Sequence, residues 1–554
     1  MTSDKLSVEV VKHSLTYISE EMGIALRKSA YSPNIRERAD HSCAILDVNG
    51  RTIGQAEHIP VHIGSLPLGL RCTLQYLERQ GVETRAGDMF IVNDPYIAGT
   101  HLNDVTLIRP VFLEDELIGY TANKAHHVDI GGMTPASINS HATELVQEGI
   151  LLPPVKLMDA NKLRNEIVNI LATNTRMPEV TLGDLRAQVA ANLLGERRLV
   201  ELVSSVGDEA FQDSCAKMLD QTNELAVAEY RKMPKGDWRG EDCLELDHTL
   251  IMIRAEISMT GESVEIDFTG TDPQVQAPLN AVLGVTTAAV TFAVKTLMPA
   301  DMPLNDGFNR TITVTAPEGT IVNPVKPAPV AGGNLETSQR IVDTVYRAMA
   351  EAMPDRIPAA SHGSMNNLML GGVHPETGKT WAFYETIGGG YGGRPRADGV
   401  DGVHVNMTNT LNTPIEVMEH YYPIKFEAYR LREGSGGAGE WRGGTGIERI
   451  LTAKASIRVA LLGERCRIQP WGLRGGLPAQ PSEYLVRRSN GNISQLKSKD
   501  AVLLDVDDTL ILRTAGGGGY GDPRRRQPSL VKEDLENQYI TEEQAKATYP
   551  QVVT

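Results

Sequence analysis

The sequence is poor in cysteine, in long apolar runs and in positive charge. Its 554 residues contain only 5 cysteines, widely spaced and without a CxxC pair, which argues against a disulfide framework and against a zinc ribbon. No run of 18 apolar residues occurs, and the first ten residues, MTSDKLSVEV, lack the basic and apolar regions of a signal peptide. We therefore expect single buried thiols in a cytoplasmic protein without a membrane span.

Basic residues are outnumbered along the chain. Lys and Arg total 54 and Asp and Glu total 70, so the formal net charge is −16. Nucleic-acid binding requires basic surface to neutralise phosphates, and Arg524, Arg525 and Arg526 are too few to line a groove. We expect no nucleic-acid partner. The length instead predicts a folded chain of several domains.

Three motifs are also missing: a phosphate-binding loop, a dinucleotide-binding glycine pattern and the G-x-S-x-G motif that presents a nucleophilic serine. The segment that ends in Gly378, Lys379 and Thr380 is close to a phosphate-binding loop, but Val373 stands where that loop requires glycine, so a hairpin turn is predicted there. Glycine runs such as GGGYGG do not follow the pattern of a dinucleotide site, and no G-x-S-x-G occurs. An enzyme with this sequence would depend on a metal ion rather than on a nucleotide site of its own.

Hydrophobic periodicity predicts an α+β fold with antiparallel β-hairpins around an N-terminal metal site. Helices are predicted at residues 7–30, near 66–80, near 284–297 and at 337–352. The glycine-dense segments after residue 360 are interpreted as tight turns in a β-rich region. We divide the chain into an N-terminal α/β metal-site region at 1–200, a helical connector at 201–242, a mixed β/α region at 243–355, a glycine-rich β region at 356–524 and a polar tail at 525–554, which we expect to dock on the body or on a partner.

Histidine is concentrated near the start of the chain and close to two predicted hairpins. An acidic turn centred on Asp115 pairs residues whose numbers sum to about 230, which sets Asp104 opposite His126, with His101 three residues upstream. Pro110 could mark a bulge that shifts this register by one and exchanges His126 for His127.

The second hairpin turns at Asn49 and Gly50, a strong hairpin signal. The same arithmetic gives a sum of about 99 and sets Asp40 opposite Ile59 and beside His58. Both hairpin mouths therefore carry imidazole and carboxylate groups. Two imidazoles with one or two carboxylates and no thiol suit zinc, manganese or ferrous iron, and an open coordination position would let such an ion activate water and polarise a carbonyl or phosphoryl oxygen.

Several long segments resemble the hydantoinase B/oxoprolinase family, which includes the B-type subunits of ATP-dependent hydantoinases and lactamases, 5-oxoprolinase, and the related large subunits of acetone and acetophenone carboxylases. The resemblance spans about residues 5–523 and depends on the number and order of the segments. The segments are DHSCAILDVNGRTIGQAEHIPVHIGS, GDMFIVNDPYIAGTHLNDVTLIRPVF, KAHHVDIGG, GDLRAQVAAN, GGNLETSQRIVD, YETIGGGYGGRPRADGVDGVHVNMTNTLNTPIEV, SGGAGEWRGGTG and AGGGGYGDP.

The resemblance implies a division of labour between two subunits. A hydantoinase A-like partner binds ATP and phosphorylates the carbonyl oxygen of a small cyclic amide, and the B-type subunit opens the ring at a metal, in a hetero-oligomer such as α2β2. It also implies the metal ligands His101, Asp104, His126 and Asp40.

Further candidate residues surround these ligands. His62 is a candidate proton shuttle and Glu385 a second catalytic candidate. The remaining candidates are His58 and His127, as ligands or as residues behind the ligands, and Asn366, Arg394 and His404, as substrate-binding residues among the glycine-rich turns.

Three other functions are compatible with the sequence. One is an ATP-dependent ketone carboxylase, whose large subunits are typically longer than this chain. Another is a partner-binding scaffold whose metal is structural. The third is a mononuclear iron oxygenase built on two histidines and one carboxylate. Hydrolytic ring opening of a cyclic amide is the function we expect.

Overall fold

A computed structural model describes residues 3–56 and 58–549 as helices and mainly antiparallel strands. The helices are α1 Ser3–Ser29, α2 Pro33–Arg36, α3 Pro60–Ile63, α4 Ser65–Arg79, α5 Pro95–Ala98, α6 Asn165–Asn174, α7 Pro178–Val206, α8 Asp208–Tyr230, α9 Leu283–Lys295, α10 Asp306–Asn309, α11 Ser338–Ala352, α12 Ile415–Tyr421, α13 Pro528–Glu536 and α14 Glu542–Thr548. The strands are β1 His41–Leu46, β2 Thr52–Gln55, β3 Met89–Val92, β4 Asp104–Leu113, β5 Glu116–His126, β6 Val155–Asp159, β7 Lys162–Leu163, β8 Gly236–Leu246, β9 Thr249–Met259, β10 Val264–Asp267, β11 Ile312–Thr315, β12 Asn367–Val373, β13 Thr380–Glu385, β14 Ile424–Arg432, β15 Gly446–Ala453, β16 Ile457–Leu462, β17 Glu483–Arg487, β18 Ile493–Leu496, β19 Lys499–Leu504 and β20 Thr509–Arg513.

The strands form four sheets, which confirms the predicted α+β class. The first sheet has the order β2-β1-β5-β4-β3-β6-β7, and every neighbouring pair in it is antiparallel. The other three sheets have the orders β11-β10-β9-β8, β13-β12-β16-β19 and β14-β15-β20-β17-β18. The predicted domain boundaries stay a prediction.

Both faces of the first sheet are covered by helices. Cys43 and Ile45 of β1 belong to the hydrophobic cluster that also contains the inner faces of α1, α7 and α8. Ala44 and Leu46 point to the other face and pack with residues of α4. Successive side chains of a strand alternate between faces, so a strand covered on both sides is buried throughout, as β1 is. The sheet thus buries His41 of β1 and His126 of β5.

The register of the β4–β5 hairpin agrees with the sequence arithmetic. Asp104 is paired with His126, and the irregularity in the ladder lies between Val111 and Phe112. Because this bulge is on the turn side of Pro110, it does not shift the open end of the hairpin. His126 rather than His127 therefore faces Asp104.

The β1–β2 hairpin is also present, but its ladder is shorter than the arithmetic assumed. Ala44 is paired with Gln55 as predicted, and the ladder ends there. Asp40 and Ile59 are therefore not cross-strand partners. The expected turn at Gly378 is present as well, since β12 and β13 on either side of it form an antiparallel pair.

Four predicted helices are present as α1, α4, α9 and α11. Residues 165–230 are also mostly helical, as α6, α7 and α8. A π-helical turn, Gly333–Thr337, leads directly into α11, and such turns occur frequently at functional sites.

The expectation of tight turns in the glycine-rich segments after residue 360 is partly wrong. Many of these glycines lie in extended segments, outside the named strands, that pack side by side. The N–H groups of Gly517 and Tyr520 donate to the carbonyls of Gly444 and Trp441, so this pairing recurs after three residues, the period of polyproline II. Residues 516–519 lack a positive φ, but a Cβ on Gly517 would lie 2.1 Å from a neighbouring backbone oxygen. Glycine is required here for close backbone approach.

The C-terminal tail docks on the body of the protein as far as Tyr549. Helices α13 and α14 bury Val531, Ile540, Ala545 and Tyr549 in a small apolar cluster beside Ala438 of the glycine-rich region. The five cysteines are all free, and three of them are buried. Within residues 3–56 and 58–549, no helix has the length and apolar character needed to cross a bilayer.

Candidate metal centre

Two histidines and one aspartate meet at the open end of the β4–β5 hairpin. His101 Nε2 lies 3.0 Å from Asp104 Oδ1 and 3.2 Å from His126 Nδ1. His126 Nδ1 lies 3.4 Å from the same Asp104 oxygen. All three side chains are buried. Among the described residues, they form the only group of three or more His, Cys, Asp or Glu side chains close enough to hold a metal ion.

The hairpin register places two members of this group. Asp104 is the first residue of β4 and His126 the last of β5, and residues opposite each other in an antiparallel pair project from the same face. His101 comes from the loop between α5 and β4. Gly99 turns that loop with a left-handed φ of 80°, which glycine adopts without steric cost.

Lys124 holds the loop that carries His101. Its Nζ donates hydrogen bonds to Ala98 O and Thr100 Oγ1, both at 2.9 Å. The ammonium group is buried, and this burial lowers the pKa of Lys124 to about 8. A buried amine with its acceptors in place fixes the loop backbone just before His101.

The three facing atoms fit a divalent metal ion. They are two imidazole nitrogens and a carboxylate oxygen, which are ligands of zinc, manganese and ferrous iron. Bonds of about 2.0–2.2 Å to such ligands place neighbouring ligand atoms about 3–3.5 Å apart. The three distances between the ligand atoms, 3.0, 3.2 and 3.4 Å, fall in this range. The residues therefore fit the ion in both chemistry and spacing.

Electrostatics within the cluster favour an ionised Asp104. Burial alone would raise the pKa of this carboxyl group, but the charges of His101 and His62 and two hydrogen bonds outweigh it and hold the pKa well below its usual range. Burial lowers the pKa of His126. For His101 the effect of burial is outweighed by Asp104, which raises the pKa. An anionic oxygen between imidazoles is a suitable environment for a cation.

Asp40, the fourth predicted ligand, lies at the edge of the group. Its Oδ2 is 4.0 Å from His126 Nδ1 and 4.0 Å from a guanidinium nitrogen of Arg38. The structure therefore brings three of the four predicted ligands into mutual contact and leaves Asp40 beside them, in the wall of the same cavity.

Tyr384 supports the metal-ligand candidate His126 from the C-terminal half of the chain. The two rings are stacked, with centroids 4.7 Å apart and planes inclined by 15°. Arg38 lies over the tyrosine ring, 4.7 Å from its centroid, and donates a 3.0 Å hydrogen bond to Tyr384 O. The phenol hydroxyl donates to Asn367 Oδ1 at 2.8 Å. Tyr384 is thus held at its ring, its backbone carbonyl and its hydroxyl.

The predicted proton shuttle His62 belongs to the same cavity, which has a volume of about 20 Å³. His62 Nε2 lies 3.4 Å from Asp104 Oδ2, and Nδ1 lies 3.0 Å from Ser42 Oγ. The hydroxyl side chains of Thr386, Thr408 and Thr410 line the cavity as well. A histidine with one nitrogen anchored and the other turned to the cavity can hold or pass a proton there.

The two histidines next to the predicted ligands point elsewhere. His127 Nε2 lies 2.8 Å from Gln188 Oε1 of α7. His58 Nε2 lies 3.6 Å from Glu20 of α1, and its ring lies 4.8 Å from that of His41. Neither side chain is in the three-residue group.

Glu385, the second catalytic candidate, is not brought to the cavity. It follows Tyr384 in β13 and therefore points to the opposite face of the sheet. One carboxylate oxygen is paired with Arg449, and the other accepts a 2.8 Å hydrogen bond from Thr413 N. These contacts give Glu385 a structural role.

The three predicted substrate-binding residues are not gathered around the metal-ligand group. Asn366 donates to Ile387 O at 2.9 Å and accepts from Tyr484 at 2.8 Å. Arg394 is exposed and donates to a backbone carbonyl of its own loop. His404 has both ring nitrogens buried without a hydrogen-bond partner among the described residues, and burial lowers its pKa to about 3.

Asn334 is a cavity residue that sequence reasoning missed. It belongs to the π-helical turn, and its Nδ2 lies 3.4 Å from Asp104 Oδ2. The preceding Gly333 packs so closely that a Cβ would lie 1.9 Å from Asn280 O. The segment GGNLET could have pointed to this position, because paired glycines before a helix indicate close backbone approach.

Comparison with known proteins places the whole fold in one family. A family model described as hydantoinase B/oxoprolinase matches residues 4–523. An uncharacterised protein of Methanocaldococcus jannaschii is 49% identical over 99% of this chain and 96% of its own length. The putative B subunit of a D-/L-hydantoinase from a Pseudomonas species is 31% identical over 100% of this chain and 95% of its own length.

Longer relatives and solved structures agree with this placement. The 5-oxoprolinase 1 of Arabidopsis thaliana is 33% identical over 94% of this chain, which spans only 42% of that protein. The crystal structure of an ATP-dependent caprolactamase from Pseudomonas jessenii superposes with a TM-score of 0.93 and 28% identity, over 100% of this chain and 97% of that one. An acetone carboxylase structure shares the fold, with a TM-score of 0.92 and 19% identity over 99% of this chain and 79% of that one.

Proposed function

The chain belongs to the hydantoinase B/oxoprolinase family, and from this membership we propose that it is the B-type subunit of an ATP-dependent cyclic amide hydrolase. In this proposal, a hydantoinase A-like polypeptide uses ATP to phosphorylate the carbonyl oxygen of a lactam, hydantoin or oxoproline ring. The present chain receives that intermediate and opens the ring by hydrolysis at its metal centre.

The need for ATP follows from the chemistry of an unstrained amide. Its carbonyl carbon is a poor electrophile and its nitrogen a poor leaving group. Transfer of a phosphoryl group to the carbonyl oxygen turns that oxygen into a good leaving group. Addition of one water to the carbon gives a tetrahedral carbon, from which the C–N bond breaks with proton transfer to the nitrogen, so that the opened ring carries an acyl phosphate. A second water then hydrolyses the acyl phosphate to the carboxylate and inorganic phosphate.

Two observations support a separate ATP-binding partner. The matched hydantoinase relative is named as one lettered component, the B subunit, of its enzyme. The matched 5-oxoprolinase is more than twice as long as the part that this chain spans. We propose that the ATP-dependent step takes place on another polypeptide.

The residues that would hold the metal are His101, Asp104 and His126, with Asp40 as a fourth ligand after a small side-chain movement. A divalent zinc, manganese or iron ion in this place would supply Lewis-acid chemistry and lower the pKa of water. Asp104 contributes the negative charge of the ligand set, and the hairpin and Lys124 hold the ligands in position.

His62 is the residue that we propose to move protons. Its Nε2 lies in the cavity wall 3.4 Å from Asp104, and its other nitrogen is anchored on Ser42. Opening of an amide ring requires proton transfer to the departing nitrogen, and an imidazole is suited to this task near neutral pH. Asn334 and the three threonines offer donors to the oxygens of the intermediate.

The observation that carries the proposal is the buried His101, Asp104 and His126 triangle in a cavity of a chain matched to this family along nearly its whole length. The test is to reconstitute the chain with a hydantoinase A-type polypeptide from the same organism. ATP hydrolysis and ring-opened product are then measured with hydantoin, 5-oxoproline and caprolactam. We expect ring opening that needs both polypeptides and that is lost in His101→Ala. Turnover of ATP without any ring-opened product would count against the proposal.

The alternative within the family is an ATP-dependent ketone carboxylase. The acetone carboxylase shares the fold at 19% identity, and the higher identity to the caprolactamase, 28%, favours hydrolysis. The same reconstituted complex separates the two. Strict dependence of ATP turnover on bicarbonate, with a ketone as cosubstrate, would favour carboxylation.

A further inference from the structure

Arg38 is a buried cation without an anionic partner at hydrogen-bonding distance. Its side chain is fully buried, and the only carboxylate oxygen within 4.0 Å of its guanidinium among the described residues is Asp40 Oδ2, at 4.0 Å. Its Nε has no hydrogen-bond partner among the described residues. The terminal nitrogens donate to neutral oxygens, those of the Tyr384 backbone, Thr386, Asn34 and Thr410, at 3.0, 2.9, 3.4 and 3.4 Å.

The other buried arginines of residues 3–56 and 58–549 are paired with acidic side chains. A carboxylate oxygen lies within 3.2 Å of a guanidinium nitrogen in each of Arg109, Arg340, Arg442, Arg449, Arg465 and Arg526. An unpaired buried charge is costly, and arginine does not relieve that cost by losing its proton. Arg38 therefore carries a positive charge that is available to an anion from outside the chain.

This charge lies directly behind the wall of the metal cavity. Thr386 and Thr410, which accept hydrogen bonds from Arg38, both line the cavity. Asp40 Oδ2 is 4.0 Å from the guanidinium and also 4.0 Å from Nδ1 of the candidate ligand His126. One carboxylate therefore bridges the space between the guanidinium and the metal-ligand group.

The two threonines leave one hydroxyl hydrogen for a ligand. Their hydroxyl oxygens are 2.8 Å apart, so one hydroxyl donates to the other. Arg38 is a donor to both oxygens, so the second hydroxyl has no acceptor within the described part of the chain. Because Thr386 and Thr410 both line the cavity, this hydrogen is available to an acceptor there.

A phosphoryl group has the charge and the acceptor oxygens that this wall lacks. In the proposed reaction it stays attached to the substrate while the ring opens, and it leaves as inorganic phosphate only when the second water attacks. A divalent ion held by Asp40, Asp104 and neutral imidazoles is balanced by the two carboxylates, so the charge of Arg38 is left over. Arginine and hydroxyl groups are common partners of phosphate oxygens.

We propose that Arg38, Thr386 and Thr410 form the phosphate subsite of this cavity. A threonine hydroxyl donates to a phosphoryl oxygen. Arg38 acts as a positioning residue, because it holds both hydroxyls from behind and supplies the positive charge. This inference rests on the proposed function for the identity of the ligand, a phosphorylated intermediate, and adds the residues that recognise its phosphoryl group.

The cavity must widen to admit this ligand. Its volume of about 20 Å³ accommodates about one water molecule. Thr410 belongs to residues 404–414, which form neither helix nor strand. Hydrogen bonds from Asn409 Nδ2 to His58 O and from Leu411 N to Arg38 O tie this segment to the N-terminal half. We expect movement of this segment to make room for the phosphoryl group.

The test measures binding of inorganic phosphate to the full chain loaded with zinc, by isothermal titration calorimetry and without a partner polypeptide. Arg38→Met replaces the cation by a neutral side chain of similar length. We expect it to raise the Kd for phosphate by about tenfold or more, as loss of a charged hydrogen-bonding partner does. Arg38→Lys restores the charge and should bind phosphate more tightly than Arg38→Met, a rescue that a purely structural role would not produce.

A second variant tests the hydroxyls without changing the charge. Thr386→Val with Thr410→Val keeps the side-chain shape, and we expect it to raise the Kd for phosphate by about tenfold. The matched control is Thr121→Val with Thr344→Val, two buried threonines whose hydroxyls donate to backbone carbonyls away from the cavity lining. Its Kd should stay within about twofold of that of the unaltered chain.

Zinc itself attracts phosphate, so each variant is first shown to hold as much zinc as the unaltered chain and to have the same circular dichroism spectrum. If Arg38→Met does not fold, the comparison of the two threonine pairs decides. Phosphate affinity that is unchanged in the Arg38 and cavity-threonine variants would overturn the subsite and leave the proposed function standing. Absence of phosphate binding by the unaltered chain would also overturn it.

The opposite combination separates the two proposals. If phosphate binding depends on Arg38 but the reconstituted complex opens no ring, the subsite stands and the proposed function fails.

Discussion

Tyr384 and His126 are stacked at 4.7 Å although they are 258 residues apart in the chain (384 − 126 = 258). Their contact joins the C-terminal half of the protein to the metal-ligand group of the N-terminal half. Arg38 also lies over the tyrosine ring, so that ring is held in place, and stacking on it favours one plane for the His126 ring. Orientation of a ligand by its neighbours is a main determinant of metal affinity.

Replacing Tyr384 by leucine should weaken metal binding by about 10- to 100-fold, since the ligand ring then loses its support. Tyr384→Phe keeps the stacked ring and should bind metal within about threefold of the unaltered chain, while losing about 1 kcal/mol of stability with the hydrogen bond to Asn367. Competition with a chelator measures both affinities. Equal metal affinity of the leucine and phenylalanine variants would show that the stack does not position His126.

The adjacent histidines His126 and His127 should respond differently to replacement by alanine. His126→Ala removes a donor of the triangle and should abolish stoichiometric metal binding. His127→Ala removes only the contact with Gln188, so it should keep the metal at a stability cost of about 1–3 kcal/mol. Metal analysis of the purified variants separates these outcomes. Metal loss from both variants, or from neither, would contradict the assignment of the ligand.

Glu336 should make the protein less stable as the pH rises. Burial, together with the nearby charge of Glu464, raises the pKa of Glu336 to about 8, above the value of about 4.3 expected in the unfolded chain. Between these values the folded state holds a proton that the unfolded state has released. The contribution of this group to the unfolding free energy therefore falls by up to about 1.4 kcal/mol per pH unit and levels off above pH 8.

Glu336→Gln keeps a neutral side chain at every pH and should remove this slope. The difference in thermal midpoint between the variant and the unaltered chain should be more positive at pH 9 than at pH 6. Glu376→Gln, on the exposed turn between β12 and β13, is the control and should show the same difference at both pH values. A pH-independent difference for Glu336→Gln would mean that Glu336 is already ionised at pH 6.

Gly443→Ala should disrupt the packed glycine segments. Its Cβ would lie 1.8 Å from the carbonyl oxygen of Gly517, and the other nearest atoms are also backbone atoms, of Gly517 and Gly518, which cannot move aside as a flexible side chain can. We expect a loss of more than about 4 kcal/mol, or failure to fold. Gly491→Ala, at a φ of 89° with no neighbour within 4 Å, should cost about 1–2 kcal/mol. Soluble yield and thermal midpoint measure the two, and similar values would refute the close-packing explanation.

Local signals in the sequence were sufficient to predict the β4–β5 hairpin, which carries two of the candidate ligands. The pairing of Asp104 with His126 follows from the position of the acidic turn, because the side chains of an antiparallel pair repeat every two residues. Helices with a clear apolar period, such as α1 and α11, were predicted for the same reason. Segments along the chain were also sufficient to indicate the family.

Contacts between distant segments were not predictable in this way. Whether Glu385 or Tyr384 faces the cavity depends on which face of β13 is turned inward, and nothing near β13 in the sequence decides that. The glycine-rich segments were predicted to be tight turns. The prediction was partly wrong because the close approach of two distant backbone segments leaves no periodic pattern in the local sequence.

The sequence by itself therefore determined the residue types of the candidate ligands, the register of the hairpin that carries Asp104 and His126, and the family, since these depend on residue identity and short-range geometry. Only the tertiary structure decided that Asp40 stands beside the ligand triangle rather than in it. It also decided that Tyr384 and Asn334 complete the cavity wall and that Arg38 is buried behind it. Those outcomes depend on how helices and sheets pack over long chain separations, where the free energy is shared among many contacts that no local segment encodes.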